Sequence, residues 1–434
     1  LHKQINICWE KNNPFYPISA NNVNMMKKFI RNVVLTLVLL TPLLGLLLVN
    51  DAIMAAATMD KKPWVHWNGL DPSREVYISW ETASNASSFV EYGLEPNAYI
   101  WNLSDSTPVS MHRLKLPNLD PNTRYYYRVS NDLGGSNYAT GTFKTAPSTN
   151  NFTKFTFAIL SDTQNFMGTG HYPRMARVLA SMDDLAFVAF AGDMAQDHGQ
   201  TSLFSPDSRQ PSWNDFWRHT NRFSPTIPIV PDPGNHDNAN APLEENIYQR
   251  YFGVAISPNH NYYSFNWSRT QFVMVQIADG GDDGRNSDPE LPTFQQDLWI
   301  NATLEAGQAL DYRILVFHRA LFSSNGNDQN LIDRFMPILV HYNVSLLLYG
   351  HEHCYERFYI QNRNIVCLGA GGGLMNGHLK TQEGRQIGSI GPSFTTVTLD
   401  ATGITITTLT PTMNTIESVH LTKEGTAVIP DVLI

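Results

Sequence analysis

Between residues 63 and 147, apolar and polar positions alternate in short runs separated by turn residues. Residues 75–80 alternate Glu-Val-Tyr-Ile-Ser-Trp, and residues 89–92, 111–116, 123–129 and 138–144 also read as strands. Period-two alternation places successive side chains on opposite faces, as in a half-buried strand. Turn signals recur at Ser84-Asn85, Pro96-Asn97, Asp120-Pro121-Asn122 and Gly134-Gly135. After the Pro-, Ser- and Thr-rich linker at 145–150 the pattern changes. Buried strands at 155–160, 186–190, 226–230, 312–317 and 344–349 alternate with helical spacing at 173–182, 214–221, 243–251, 294–304 and 332–342. Pro211 marks a turn, Ser212 is an N-cap candidate, and Pro337 is a kink candidate. Residues 262–265 and 271–277 pair around a short turn, and the tail carries strands at 393–399, 405–409 and 417–421.

The first block predicts an N-terminal all-β sandwich over residues 63–146, fibronectin type III-like in its strand spacing. It holds no metal-ligand cluster and reads as a structural or docking module. The second predicts an α/β domain over residues 152–425, with central β-sheets flanked by helices.

Ahead of both, residues 1–24 show no periodicity and read as upstream sequence or a disordered extension. Residues 25–57 then carry Lys27, Lys28 and Arg31, a mostly apolar run at 33–49, and Ala55-Ala56-Ala57. Basic, apolar and small-residue regions in that order predict a signal peptide, with residues 33–49 as an uncleaved membrane anchor in the alternative. Either way the rest of the chain is expected outside the cytoplasm, secreted or anchored.

Composition is that of an ordinary globular protein, 42% hydrophobic and 16% charged, with net charge −9. An acidic balance argues against bulk nucleic-acid binding, which needs a basic face. Cys354 and Cys367 flank an expected hairpin whose register does not set them opposite each other, so two buried thiols are expected. With Cys8 the chain has three cysteines, too few to decide the redox compartment.

Five predicted strands finish in ligand-type residues where neutral turn residues are usual. They are Asp162, Asp193, the run Asn235-His236-Asp237, His318, and the pair His351 and His353. In open α/β sheets the ligand crevice lies at the carboxyl ends of the strands. In extended chain His351 and His353 face the same side. A His-x-His pair alone means little; five such strand ends together point to one site. Imidazole and carboxylate without thiolate suit borderline transition metals. A shared carboxylate can bridge two cations about 3.5–4 Å apart, the spacing of two-metal hydrolysis.

The sequence resembles the calcineurin-like metallophosphoesterases, most closely the purple acid phosphatases. Gly234-Asn235-His236-Asp237 and Gly350-His351-Glu352-His353-Cys354-Tyr355-Glu356-Arg357 carry the resemblance in the second domain. Residues 90–93 and 125–129 carry it in the first. The resemblance implies a metal-dependent phosphoric ester hydrolase. Asp162, Asp193 and His353 would hold one metal and Asn235, His318 and His351 the second, with Asp193 bridging. His236 would contact the phosphate and protonate or stabilise the leaving oxygen, with Asp237 as its orienting partner.

Two departures matter. Gln196 stands where the family has the tyrosine whose phenolate gives the purple colour. Gln164 replaces a glycine, at a position that often holds a metal-binding histidine in the wider superfamily, and could offer its amide oxygen. Two divalent ions (Mn, Zn or Fe) are therefore expected over a ferric–divalent pair. The expected substrate is a small phosphate monoester. The alternatives are a diester, nucleotide or pyrophosphate at the same site, or a non-catalytic cell-surface binding protein. Neither the oligomeric state nor the physiological substrate follows from the sequence.

Overall fold

The computed structural model describes residues 59–131, 138–164, 171–196, 209–237, 247–253, 262–277, 293–369, 371, 379–423 and 427–428. The leader expected at 1–57 lies outside them. Among the described residues no helix is long and apolar enough to cross a membrane.

The front domain is all β, with β1 (Met59–His66), β2 (Val76–Gly93), β3 (Trp101–Leu116), β4 (Arg124–Ser130) and β5 (Tyr138–Lys144). β2 pairs β1 through its first half and β4 through its second, while β3 runs along its other edge. The turn expected at Ser84-Asn85 is instead continuous strand. Register shifts between Glu81 and Ser88 absorb the polar residues without breaking the pairing to β3. β1 was not foreseen, because its run Met-Asp-Lys-Lys-Pro carries no clean alternation.

The second domain continues with β6 (Phe155–Leu160), α1 (His171–Leu179), β7 (Leu185–Ala191), α2 (Arg209–Thr220), β8 (Ile229–Asp232) and α3 (Ile247–Phe252). Then come β9 (Tyr263–Trp267), β10 (Thr270–Met274), α4 (Thr293–Ala306), β11 (Tyr312–Val316), α5 (Gln329–His341) and β12 (Leu346–Tyr349). The tail adds β13 (Tyr355–Ile360), β14 (Arg363–Cys367), β15 (Arg385–Ser389), β16 (Phe394–Leu399), β17 (Gly403–Leu409), β18 (Thr415–Thr422) and β19 (Ala427–Val428).

Two seven-stranded sheets result, ordered β15-β13-β14-β12-β11-β10-β9 and β19-β18-β17-β16-β6-β7-β8. Within each, the strands that end at the site run parallel. Parallel strands are buried on both faces, which is why β7 and β12 read as unbroken apolar runs. The inner faces pack on one another through Phe157, Phe187, Phe265, Phe272, Ile314 and Leu348. Outside one sheet lie α1 to α3; outside the other lie α4 and α5. Burying Tyr172, Met175, Ala176 and Leu179 at helical spacing is what docks α1.

α2 begins earlier than expected and runs through Pro211 and Ser212, so Ser212 is not its N-cap. Its hydroxyl accepts from the Gln196 N–H at 2.6 Å instead. α5 continues through Pro337 and is capped by Asp328, which accepts from Leu331 N at 3.1 Å. The β13–β14 hairpin turns at Gln361 and Asn362, both at positive φ, as a two-residue turn requires. Cys354 and Cys367 are free and buried, and Cys367 lies opposite Glu356.

The front domain is joined to the second by polar contacts as well as packing. Arg113 donates to the carbonyls of Arg250, Tyr251 and Gly253 at 2.9, 2.9 and 3.1 Å, the free C-terminal carbonyls of α3. Asn68 donates to Phe252 O at 2.6 Å, and buried Glu81 pairs with both Lys61 and Arg250. Trp67 packs edge-on against Phe187 and Phe265.

In the front-domain core His112 stacks on Trp80 and bonds Thr82 Oγ1 and Ser88 Oγ, each at 2.8 Å. Burial disfavours its charged form and Glu81 offsets this only in part, so it titrates at about 4 instead of 6.5. The ring is neutral when folded, whereas the unfolded ring takes up a proton below 6.5. Its contribution to stability is complete above pH 6.5 and drains away as pH falls from 6.5 towards 4. His112→Gln is expected to lower Tm at pH 7.5 but to flatten the fall in Tm between pH 6.5 and 4.5. Calorimetry across that range checks it; an unchanged slope would refute the assignment.

Candidate metal centre

The strand ends converge in the crevice between the two sheets. Asp162 follows β6, Asp193 follows β7, Asn235 to Asp237 follow β8, His318 follows β11, and His351 and His353 follow β12. Asp162, Asp193, His351 and His353 all have positive φ, between 52° and 75°. Such backbone costs about 1–3 kcal/mol per residue and persists where surrounding contacts over-determine it. Here it turns the chain back sharply at the strand end. Gly192, at φ 81°, does the same, and a Cβ there would stand 2.4 Å from His318 Nδ1. Gly234 leaves equal room for Asp193, whose Oδ1 would be 2.2 Å from a Cβ. Close approach, not flexibility, demands both glycines.

Two sets of ligand atoms result. Asp162, Asp193 and His353 offer atoms that all lie within 4.8 Å of one another, and so do Asp193, His318 and His351. Asp193 belongs to both. Asn235 Oδ1 lies 3.1 Å from His318 Nε2 and 3.0 Å from His351 Nδ1, so the amide oxygen converges on the second set. Gln164 reaches the first: its Nε2 is 3.1 Å from Asp193 Oδ2 and 3.5 Å from His353 Nε2. Its Oε1 is buried without a hydrogen-bond partner. Two carboxylates and an imidazole converging on one point fit a cation, and the shared carboxylate fits a pair of them.

The electrostatics agree. Burial would raise Asp193, but His318 and His236 override it and hold the carboxyl below its ordinary range. Burial would lower His318; Asp193, at 3.2 Å, carries it up to about 10. Burial and then His318 push His351 down to about 4. One imidazole of the second set thus takes a proton and its neighbour stays neutral. A cation ligated there would displace that proton.

His236 hangs its backbone N–H on Asp193 Oδ1 at 2.8 Å, and its ring Nε2 stands 3.7 Å from Asp193 Oδ2. Asp237 was expected to orient that ring. Its carboxylate instead accepts from Ala195 N at 2.9 Å and Gly234 N at 2.8 Å, tying the two loops together. Gln196 makes the contact to the ring, 2.7 Å from His236 Nδ1. The Asp237–Ala195 and Gln196–His236 contacts join residues roughly forty positions apart, so no local pattern announces them.

Asp232 escaped sequence reading because it looks like a turn residue before Pro233. It ends β8 fully buried, and neither carboxylate oxygen has a hydrogen-bond partner among the described residues. Burial, opposed by His318 and reinforced by Asp237, pushes it well above the usual carboxylate range. A protonated, uncharged Asp232 is what such burial permits.

Family comparisons can now be set beside this geometry. Residues 155–355 match the calcineurin-like phosphoesterase family, and residues 64–145 match the purple acid phosphatase N-terminal domain. An uncharacterized protein of Mycobacterium tuberculosis is 25% identical over 332 residues, covering 67% of this chain and 60% of that protein. Purple acid phosphatase 21 of Arabidopsis thaliana is 26% identical over 317 residues, covering 67% of this chain and 64% of its own length. The chain therefore spans less than two thirds of these relatives. The purple acid phosphatase PPD1 from yellow lupin (Lupinus luteus) seeds shares the fold, with TM-score 0.62 at 17% identity over 82% of this chain and 73% of the lupin chain. With both domains matched in order and the strand ends converging as above, the chain carries a purple acid phosphatase N-terminal domain followed by a calcineurin-like phosphoesterase domain, a hydrolase domain of purple acid phosphatase-like type.

Proposed function

We propose that the chain hydrolyses small phosphate monoesters at a dinuclear metal centre, outside the cytoplasm. The observation that carries this reading is the pair of ligand sets sharing the buried Asp193. Asp162, Asp193 and His353, with Gln164, would hold one cation; Asn235, His318 and His351, with Asp193, would hold the other. Two such cations supply positive charge to phosphoryl oxygens and acidify the attacking water. The chain's own residues do the rest. Asp193 keeps the sets at bridging distance, and His236, alongside it, stabilises the leaving oxygen. The basic, apolar and small-residue order of residues 25–57 supports export.

Ligand charge supports two divalent ions. The first set offers two carboxylates and neutral donors, with no phenolate to favour a ferric ion. Gln196 occupies the tyrosine's place and turns its amide to His236.

Asp193→Asn removes the bridging charge. It is expected to cost at least one of two bound metals by elemental analysis, and about 100-fold or more in turnover. Wild-type turnover with full metal content would sink the dinuclear reading. A panel of monoester, diester and nucleotide substrates tests the class, with kcat/KM expected highest on monoesters. Iron-loaded active protein is expected to show no intense tyrosinate band in the visible, and such a band would overturn the divalent assignment. If the leader is cleaved, N-terminal sequencing should begin near Thr58; intact residues 25–49 on membrane-bound protein would favour the anchor.

A further inference from the structure

We propose that Gln196 is the positioning residue for His236. The inference rests on the reading of His236 as the group that faces the leaving oxygen. Gln196 Nε2 stands 2.7 Å from His236 Nδ1. An amide nitrogen only donates, so Nδ1 is the acceptor and the proton of the neutral ring sits on Nε2. That Nε2–H is on the side of Asp193, 3.7 Å from its Oδ2, where the two ligand sets meet. There it serves as a hydrogen-bond donor to negative charge growing on the leaving oxygen; no full proton transfer is required.

Gln196 is mounted for this task. Its backbone N–H is held by Ser212 Oγ at 2.6 Å, on α2. The preceding residue, Ala195, is held by Asp237 Oδ1 at 2.9 Å, and Asp237 also holds Gly234 N at 2.8 Å. The loop carrying Gln196 and the turn carrying His236 are thus stapled together by one carboxylate, and the amide spans the gap between them. A position that holds a metal-binding tyrosine in the resembling family here holds a side chain directed at the imidazole instead.

Gln196→Leu keeps the size of the side chain and removes the donor. Imidazole nitrogen NMR of the full chain, with His236→Ala identifying the resonances, reads the tautomer without reference to activity. The Nε2–H form is expected in the wild type and a mixture in Gln196→Leu. Kinetics supply the second reading. Turnover of an alkyl phosphate, whose leaving group is poor, should fall about tenfold, against about threefold or less for p-nitrophenyl phosphate, with KM within about twofold and metal content unchanged. In the His236→Ala background Gln196→Leu should add no further loss. Equal losses on both esters, additive losses in the double variant, or an Nδ1–H tautomer in the wild type would each overturn the proposal. If the wild type cleaves neither ester, the monoester reading fails and the tautomer alone decides the role of Gln196.

Discussion

The site depends on the burial of one carboxylate. Asp193 is 1% exposed, and a charge removed from water costs several kcal/mol unless it is paired and hydrogen-bonded. Its partners come from three other segments: His236 N–H at 2.8 Å and the His236 ring at 3.7 Å, Gln164 Nε2 at 3.1 Å, and His318 Nε2 at 3.2 Å. No single loop can supply that shell. The strand ends after β6, β8 and β11 must therefore meet at the end of β7, and the positive-φ turns and bare glycines are how they do so. Satisfying Asp193 and bringing the two candidate ligand sets together are one geometric requirement.

Charge around Asp193 is divided unevenly. Asp162 and Asp193 lie in the ligand sets, and Asp162 accepts from His351 N–H at 3.0 Å. Asp237 and Asp232 lie behind them, and burial drives both well above the carboxylate range. Four carboxylates within one region could not all stay ionised without cations between them. His318 and His236 hold the Asp193 carboxyl low, and burial pushes the rear pair the other way. Asp237 keeps a structural use as acceptor for two backbone N–H groups. Asp232 has no such use in the contacts it makes.

The front domain bears on this arrangement through α3. That helix follows the Asn235–Asp237 turn, and Arg113 and Asn68 together cap its last carbonyls. On its inward side Tyr248 is fully buried, near Asp232 and Asp237. The all-β domain thus holds the end of the helix that carries Tyr248. It makes these contacts alongside a shared apolar core that runs from Trp67 into Phe187 and Phe265.

The sequence by itself determined what local pattern can carry. The apolar runs identify β6, β7, β11 and β12, because a buried parallel strand is hydrophobic throughout. The ligand-type residues that end those strands were legible because they stand where neutral turn residues are usual. The order of an all-β and an α/β domain follows from the change of period at the linker. Tertiary structure decided the partners. That Asp237 holds the Ala195 N–H instead of the His236 ring, that Gln196 holds the ring, and that Ser212 serves Gln196 and not its own helix are contacts between separate segments, and the packing of those segments is what buries Asp232. Periodicity records which face of an element is apolar. It holds no information about which residue of another element will fill a donor or acceptor once both are excluded from water.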